Sequence, residues 1–375
     1  MTPTQNQTAI ENEIFEAAAG LAGTLRAKLD ADPTASTAGF SQQVWEAARD
    51  AGWFEVAGGE EHGGLGLGMP AAAAVLRAVG YHALPGPFAE RVAVIPDLLS
   101  ALTPEGRDAL AAIDQPDTHV VLVDPAASCS SAAAVVYDAG VLSGSVDLVR
   151  FGDIASWFLV VATAGGGSGA DLTIALVEST QEGVDIHPHL SFDPVTRYAT
   201  VRFAAVTPMA MLVAPGSASN AAAARLRSVG RIAAAAEAAG LARALTDKST
   251  MYALERHQFG RPIGAFQAIQ HILADMAADC AVLEARVSDI AGERYEDSTR
   301  HELMAWTLKS LAATHSRRVA ESALQVHGGV AFTEELGLHH WVNHVLALQG
   351  LYGDEDQLDE LAGAALVAGE LSPWD

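Results

Sequence analysis

Basic residues are scarce in this 375-residue chain. It has 22 Lys and Arg against 46 Asp and Glu, a formal net charge of −24. So acidic a surface repels nucleic acid and anionic membranes, and neither is expected as a partner. Cysteine is nearly absent. Cys129 and Cys280 fit no metal or redox spacing, and a chain this long needs no disulfide staple. No apolar run reaches the roughly 18 residues of a membrane span, because Arg and Glu interrupt the Ala-rich stretches. The opening MTPTQNQTAIENE is polar and acidic, without the basic start and apolar core of a secretory signal. These absences together lead to the expectation of a cytoplasmic protein without a metal centre. There is also no repeat of fixed period.

Half of the residues are apolar and 18% are charged, enough for a large core split into two or three domains. The texture changes twice along the chain. Residues from about 8 to 112 read as helices, with an amphipathic run at Gln43–Gly52 and another from Met69 to Val79; Pro85 and Pro87 then break the chain. From about His119 to Pro208, runs such as HVVLVD, WFLVVAT and YATVRF are rich in β-branched residues, which predicts about seven strands. AGGGSG at Ala164–Gly169 reads as a flexible hairpin tip. From about Ala218 onward the chain reads as helical again. The expected domains are 1–115, 116–212 and 213–375, in an α+β fold.

The stretch YALERHQFGRPIGAFQAIQHILADM, Tyr252–Met276, organises the second helical part. It reads as a helix end, a tight Phe-Gly-Arg-Pro turn and a new helix, because Gly260 and Pro262 interrupt a continuous helix. Ile263, Phe266, Ile269, Leu273 and Met276 recur at helical spacing. Arg256 complements the negative end of the first helix dipole, or holds an anion supplied from outside. From Arg225 to Arg261 there are six Arg and one Lys against three acids, a local +4. Surface salt bridges and a phosphate-bearing ligand both account for that. The glycine-rich EEHGGLGLG at Glu60–Gly68 reads as a plain loop, since no strand precedes it and no Lys-Ser/Thr follows.

The helix–strand–helix order and several motifs resemble the acyl-CoA dehydrogenase family over nearly the whole chain. The motifs are ERHQFGRPIGAFQAIQHILADM, LQVHGGVAF and EVAGGEEHGGLGLG, with GVLSGSVDLVRFGDIASWFLVVAT and YATVRFAAVTP as two barrel segments. The resemblance implies an N-terminal helical domain, a middle β-barrel and a C-terminal four-helix bundle. It also implies FAD shared across a subunit interface. Arg256 would pair with the pyrophosphate, while Gln258, Phe259, Ile263, Phe266 and Ile269 would line the cofactor. Gln325, Val326, Gly328 and Gly329 would approach the adenosine end of a neighbour's FAD. Arg231 matches a family arginine near the acyl thioester. An acyl-CoA substrate and an electron-transfer flavoprotein as acceptor follow from the same resemblance.

The chain departs from the family at the catalytic base, which has to be a desolvated carboxylate. The two positions where the family carries its glutamate fall on Tyr352 and Gly230. Asp354 and Glu355 lie just past the first position; Glu237 lies two helical turns past the second. The family's Thr-Glu-Pro-Gly and Trp-Ile-Thr stretches, which face the flavin ring, are replaced by VDPAASCSSAA and VDLVRFG. The tail FTEELGLHHWVNHVLALQGLYGD looks like heteromeric family members of steroid side-chain breakdown, with His339 and His340 read as a polar helix face. The expectation is therefore a dehydrogenase subunit that works with a second, base-bearing subunit. A flavin monooxygenase on the same fold and a flavin-free scaffold are the two other readings.

Overall fold

The computed structural model describes residues 3–32, 38–113, 115, 118–128, 134–165, 171–293 and 298–369. Cys129 and most of the expected hairpin tip lie outside them. The N-terminal helices are α1 (Pro3–Asp30), α2 (Gln42–Asp50), α3 (Gly68–Tyr81), α4 (Ile95–Ala101) and α5 (Pro104–Ile113). The Ser41 hydroxyl caps α2 by accepting from the Val44 N–H. The glycine-rich segment before α3 folds back on itself, with Leu65 N–H donating to Glu55 O and Gly66 N–H to Gly58 O. A Cβ on Gly64 would lie 2.1 Å from Gly58 O, so the loop needs glycine for backbone contact. A π-turn at Glu90–Val94 leads into α4. Pro96 follows it, and its ring would crowd the carbonyl four residues back in an α-helix; one extra residue in the turn relieves that clash.

Eight strands follow: β1 (Val120–Val123), β2 (Ala134–Asp138), β3 (Val141–Arg150), β4 (Trp157–Ala164), β5 (Leu172–Glu178), β6 (Val184–His189), β7 (Tyr198–Val206) and β8 (Ala210–Val213). They form one mostly antiparallel sheet in the order β6-β7-β3-β2-β4-β5-β8, with β1 parallel to β4. This sheet is the middle β domain, and among the described residues its end strands β6 and β8 do not pair with each other. Alternation along β4 explains how it is held. Phe158, Val160 and Ala162 enter a core enclosed by the sheet, while Leu159 and Val161 join the helical core.

The C-terminal helices are α6 (Ser217–Glu255), α7 (Gln267–Gly292), α8 (Ser298–His327), α9 (His339–Leu348) and α10 (Glu355–Val367). The apolar stripe expected from Ile263 begins before α7, because Ile263 sits in a short 3-10 turn at Ile263–Ala265. Cys280 is buried, its thiol pushed up to about 11 chiefly by that burial, and packs against Thr246. Small residues let α3 and α6 approach at backbone distance. A Cβ on Gly80 would lie 2.0 Å from Glu237 O, and one on Gly240 would lie 2.0 Å from Arg77 O. Both obstacles are backbone atoms, so neither can swing aside. Gly240→Ala is expected to lower stability by roughly 1–3 kcal/mol through overpacking. Urea unfolding would show this as a lower midpoint at unchanged slope.

Candidate functional site

The Arg256 turn is a two-residue hairpin. His257–Gln258 pairs antiparallel with Arg261–Pro262, and Phe259 and Gly260 form the loop with φ of 52° and 77°. Two left-handed residues make the primed turn that suits a tight hairpin; glycine takes the second position freely, while Phe259 is strained at the first. Phe259 is 91% exposed and meets Phe266 edge-on at 6.1 Å. Arg261 lies 4.1 Å over the Phe266 ring. Arg256 ends α6 and stays exposed; its N–H donates to Tyr252 O. Ile263, Phe266 and Ile269 are half-buried beneath the hairpin.

The second motif stands beside the first. Tyr252, one turn before Arg256, stacks on His327 with ring centroids 4.5 Å apart. His327 is followed by Gly328 and Gly329, where a Cβ on either would meet nothing within 4 Å. Gln325 and both glycines are exposed. Val326 differs: its side chain is buried in the protein, so it supports the bend from below and lines no outer surface. Met251, Leu254 and Phe332 add exposed apolar surface to this face.

The local positive charge resolves into two uses. Arg225 pairs with Asp97, Arg227 with Asp124 and Arg243 with Glu284, at 2.7, 2.7 and 2.5 Å. These are salt bridges between elements. Arg256 and Arg261 remain exposed at the hairpin.

Gly230 and Tyr352, far apart in sequence, are in contact. A Cβ on Gly230 would lie 2.3 Å from the Tyr352 ring, which is only 1% exposed. Several groups fix this ring over the glycine. Arg231 Nε donates to Tyr352 O at 3.0 Å, Tyr352 N–H donates to Ala127 O, and Lys309 Nζ donates to Gln349 O and Gly353 O. Tyr352 itself has φ of 59°. Arg231 is thus committed to the loop that carries the plug; burial and neighbouring Arg227 lower its guanidinium to about 10. Asp354 caps α10, and Glu355 accepts from the Thr314 hydroxyl. Neither is therefore free to replace a base.

A cavity of only about 20 Å³ remains beside the plug, lined by Glu90, Asp124, Arg150 and Tyr352. That is room for about one water. Glu90 comes from the π-turn, and burial raises its carboxyl above the usual range. Arg150, from the strand facing the expected flavin ring, fills the space from the other side. Burial opposes its charge, but Glu237 and Glu90 outweigh that and raise it. Arg150 Nε and Nη1 and Glu90 Oε2 have no hydrogen-bond partner among the described residues.

Behind Arg150 runs a buried network that sequence reading missed. His344 Nδ1 meets Asp193 Oδ2 at 2.8 Å and His344 Nε2 meets Glu237 Oε1 at 2.8 Å; Arg150 Nη2 lies 3.8 Å from Glu237 Oε2. Burial alone would lower His344, but the two carboxylates outweigh it and raise it to about 9. Burial alone would raise Asp193 and Glu237, yet His344 holds both below the usual range. The expected polar helix face is corrected as well: His340 is buried, and burial with Arg26 lowers it to about 4. No cluster of metal-ligating residues occurs among the described residues.

Two outcomes follow. Gly230→Ala is expected to cost roughly 1–3 kcal/mol by overpacking, and Tyr352→Ala in the same chain to recover part of it; chemical unfolding of single and double variants measures that coupling. His344, raised in the fold from 6.5 to about 9, stabilises fully below pH 6.5 and loses that contribution as pH rises through 9. The loss is on the order of 3 kcal/mol. His344→Gln should flatten the alkaline limb of a stability–pH curve.

Family models for the acyl-CoA dehydrogenase N-terminal domain and C-terminal domain match residues 8–107 and 221–366. Acyl-CoA dehydrogenase IpdE2 of Mycobacterium tuberculosis is 29% identical over 342 residues, 90% of each chain. The chain spans 39% and 28% of the length of two other curated relatives it matches. The solved ChsE4–ChsE5 complex from Mycobacterium tuberculosis aligns at TM-score 0.79 and 22% identity, over 98% of both chains. An acyl-CoA dehydrogenase complexed with FAD from Bacillus anthracis aligns at 0.80 and 18% identity, over 96% of this chain and 68% of that one. These structures share the fold, and the models match both helical ends: the chain belongs to the acyl-CoA dehydrogenase family.

Proposed function

We propose that this chain is the base-lacking subunit of a heteromeric acyl-CoA dehydrogenase. Its exposed Arg256 hairpin would lend a nucleotide grip to FAD, with the base supplied by the partner subunit. The single observation that carries this reading is the Tyr352 ring packed on Gly230. It fills the two places where the family keeps its carboxylate.

FAD fits this chain at one end only. Arg256 is an exposed guanidinium whose fork suits pyrophosphate oxygens. Gln258, Phe259, Ile263, Phe266 and Ile269 would line the cofactor there. Gly328 and Gly329 leave open backbone for the adenosine end, beside Gln325. At the ring end the fit fails. The remaining volume of about 20 Å³ is far below the roughly 300 Å³ of a small-molecule site, and Arg150 and Tyr352 occupy the space.

In the proposed reaction FAD supplies the acceptor for the hydride from the β-carbon of an acyl-CoA thioester. A carboxylate for the α-proton would have to come from the partner subunit, and an electron-transfer flavoprotein would be the electron acceptor. This chain would bind phosphate through Arg256 and present the apolar face around Phe259 and Phe332 to the partner, while its own pocket stays closed by Tyr352 and Arg150. Arg231, held to the Tyr352 loop, positions that plug in place of a thioester.

Co-expression with neighbouring reading frames, followed by mass and flavin determination, tests this. The expected product is a complex with one FAD for each pair of unlike chains, forming enoyl-CoA. Enoyl-CoA formation by the isolated chain would refute it. Arg256→Gln in the complex should lower FAD retention on gel filtration at least tenfold while the subunits stay associated.

A further inference from the structure

A second cavity lies away from the plugged pocket, at the other side of α6. It measures about 670 Å³ and opens between α1, the glycine-rich loop, the π-turn, α6, the end of α7 and His301 of α8. Its floor is made of Ala71, Ala93, Val229, Ile232, Ile290 and Ala291, all buried and apolar. The volume lies within the range of small-molecule sites, and an apolar floor with few convergent polar groups is their usual make-up.

The polar groups give the wall a sign. Glu11 is 8% exposed and lines the cavity. Its Oε2 accepts from the Ser288 hydroxyl at 2.7 Å, and among the described residues no cation lies within ion-pairing distance of it. A buried carboxylate without a counter-charge is costly, so its neighbourhood favours a positive group. At the rim, Asp97 is matched by Arg225, with Arg225 Nη2 2.7 Å from Asp97 Oδ1. Glu293 adds a further exposed carboxylate. His301 also stands there, lowered from its ordinary value by burial and then by Arg225. The formal balance of Glu11, Asp97, Glu293 and Arg225 is three negative against one positive, or −2.

We propose that this cavity is a second ligand site and that it takes an amphipathic organic cation. The hydrocarbon body would lie on Val229 and Ile232, and a protonated amine would stand beside the Glu11 carboxylate. Carboxylate-headed molecules of the same length are disfavoured by that charge. The site draws on neither the FAD grip nor the partner subunit, so its fate is independent of the heteromer proposal.

Calorimetric titration of the full chain with decylammonium, decanol and decanoate, each below its aggregation concentration, tests the assignment. Decylammonium should bind at least tenfold more tightly than decanoate. Glu11→Gln keeps an acceptor for Ser288 and should weaken decylammonium at least fivefold while leaving decanol unchanged. Val229→Phe, which fills the floor, should weaken all three, with circular dichroism melting to confirm that it folds. Equal binding of decanoate and decylammonium would overturn the proposal. So would decylammonium binding unchanged by Glu11→Gln, because it would then report only the acidic surface of the whole chain.

Discussion

The ring of Tyr352 on the bare backbone of Gly230 is the contact on which the rest of this molecule turns. A side chain at residue 230 would collide with it, and a smaller residue at 352 would leave a hole. The two positions therefore constrain each other across 122 residues of sequence. Arg231, Lys309 and the Ala127 carbonyl hold the tyrosine loop in place, so the contact is part of the core and not a side chain resting in an open pocket. With that space filled, Arg150 from β3 lines what remains of it from the sheet side.

Closing a pocket with a guanidinium carries an electrostatic cost that the fold offsets further in. Arg150 faces Glu237 and Glu90, and Glu237 in turn shares His344 with Asp193. Each charge has an opposite neighbour, and Glu90 is pushed toward its neutral form by burial. Such a chain of buried charges is strong only when every partner is present, because removing one leaves the next uncompensated. The same α6 helix that carries Gly230 and Glu237 ends at Arg256, so the closed pocket and the exposed hairpin share one element.

The two faces differ for a physical reason. Inside, space is the limiting quantity: backbones touch at Gly80 and Gly240, and the pocket is reduced to the volume of a water. Outside, the hairpin at Phe259–Gly260 and the bend at Gly328–Gly329 leave a strained aromatic and open backbone exposed. Phe259 and Phe332 add large exposed apolar groups to that face.

Much of this was legible in the sequence. The helix–strand–helix order follows from the change from helical spacing to β-branched runs, and the Arg256 hairpin from Phe-Gly-Arg-Pro, because these depend on local backbone preference. The facing of a single residue was not legible: Val326 is buried, because its orientation depends on how its helix packs. The absence of a carboxylate at residues 230 and 352 was likewise written in the sequence. What filled the vacancy was not. That Tyr352 packs on Gly230, that Arg150 turns inward, and that His344 joins Asp193 to Glu237 are contacts between residues 107 or more apart, apart from Arg150 with Glu237 at 87. No periodicity or spacing records such pairs, because only the packing of α6, α9 and the sheet brings them within reach.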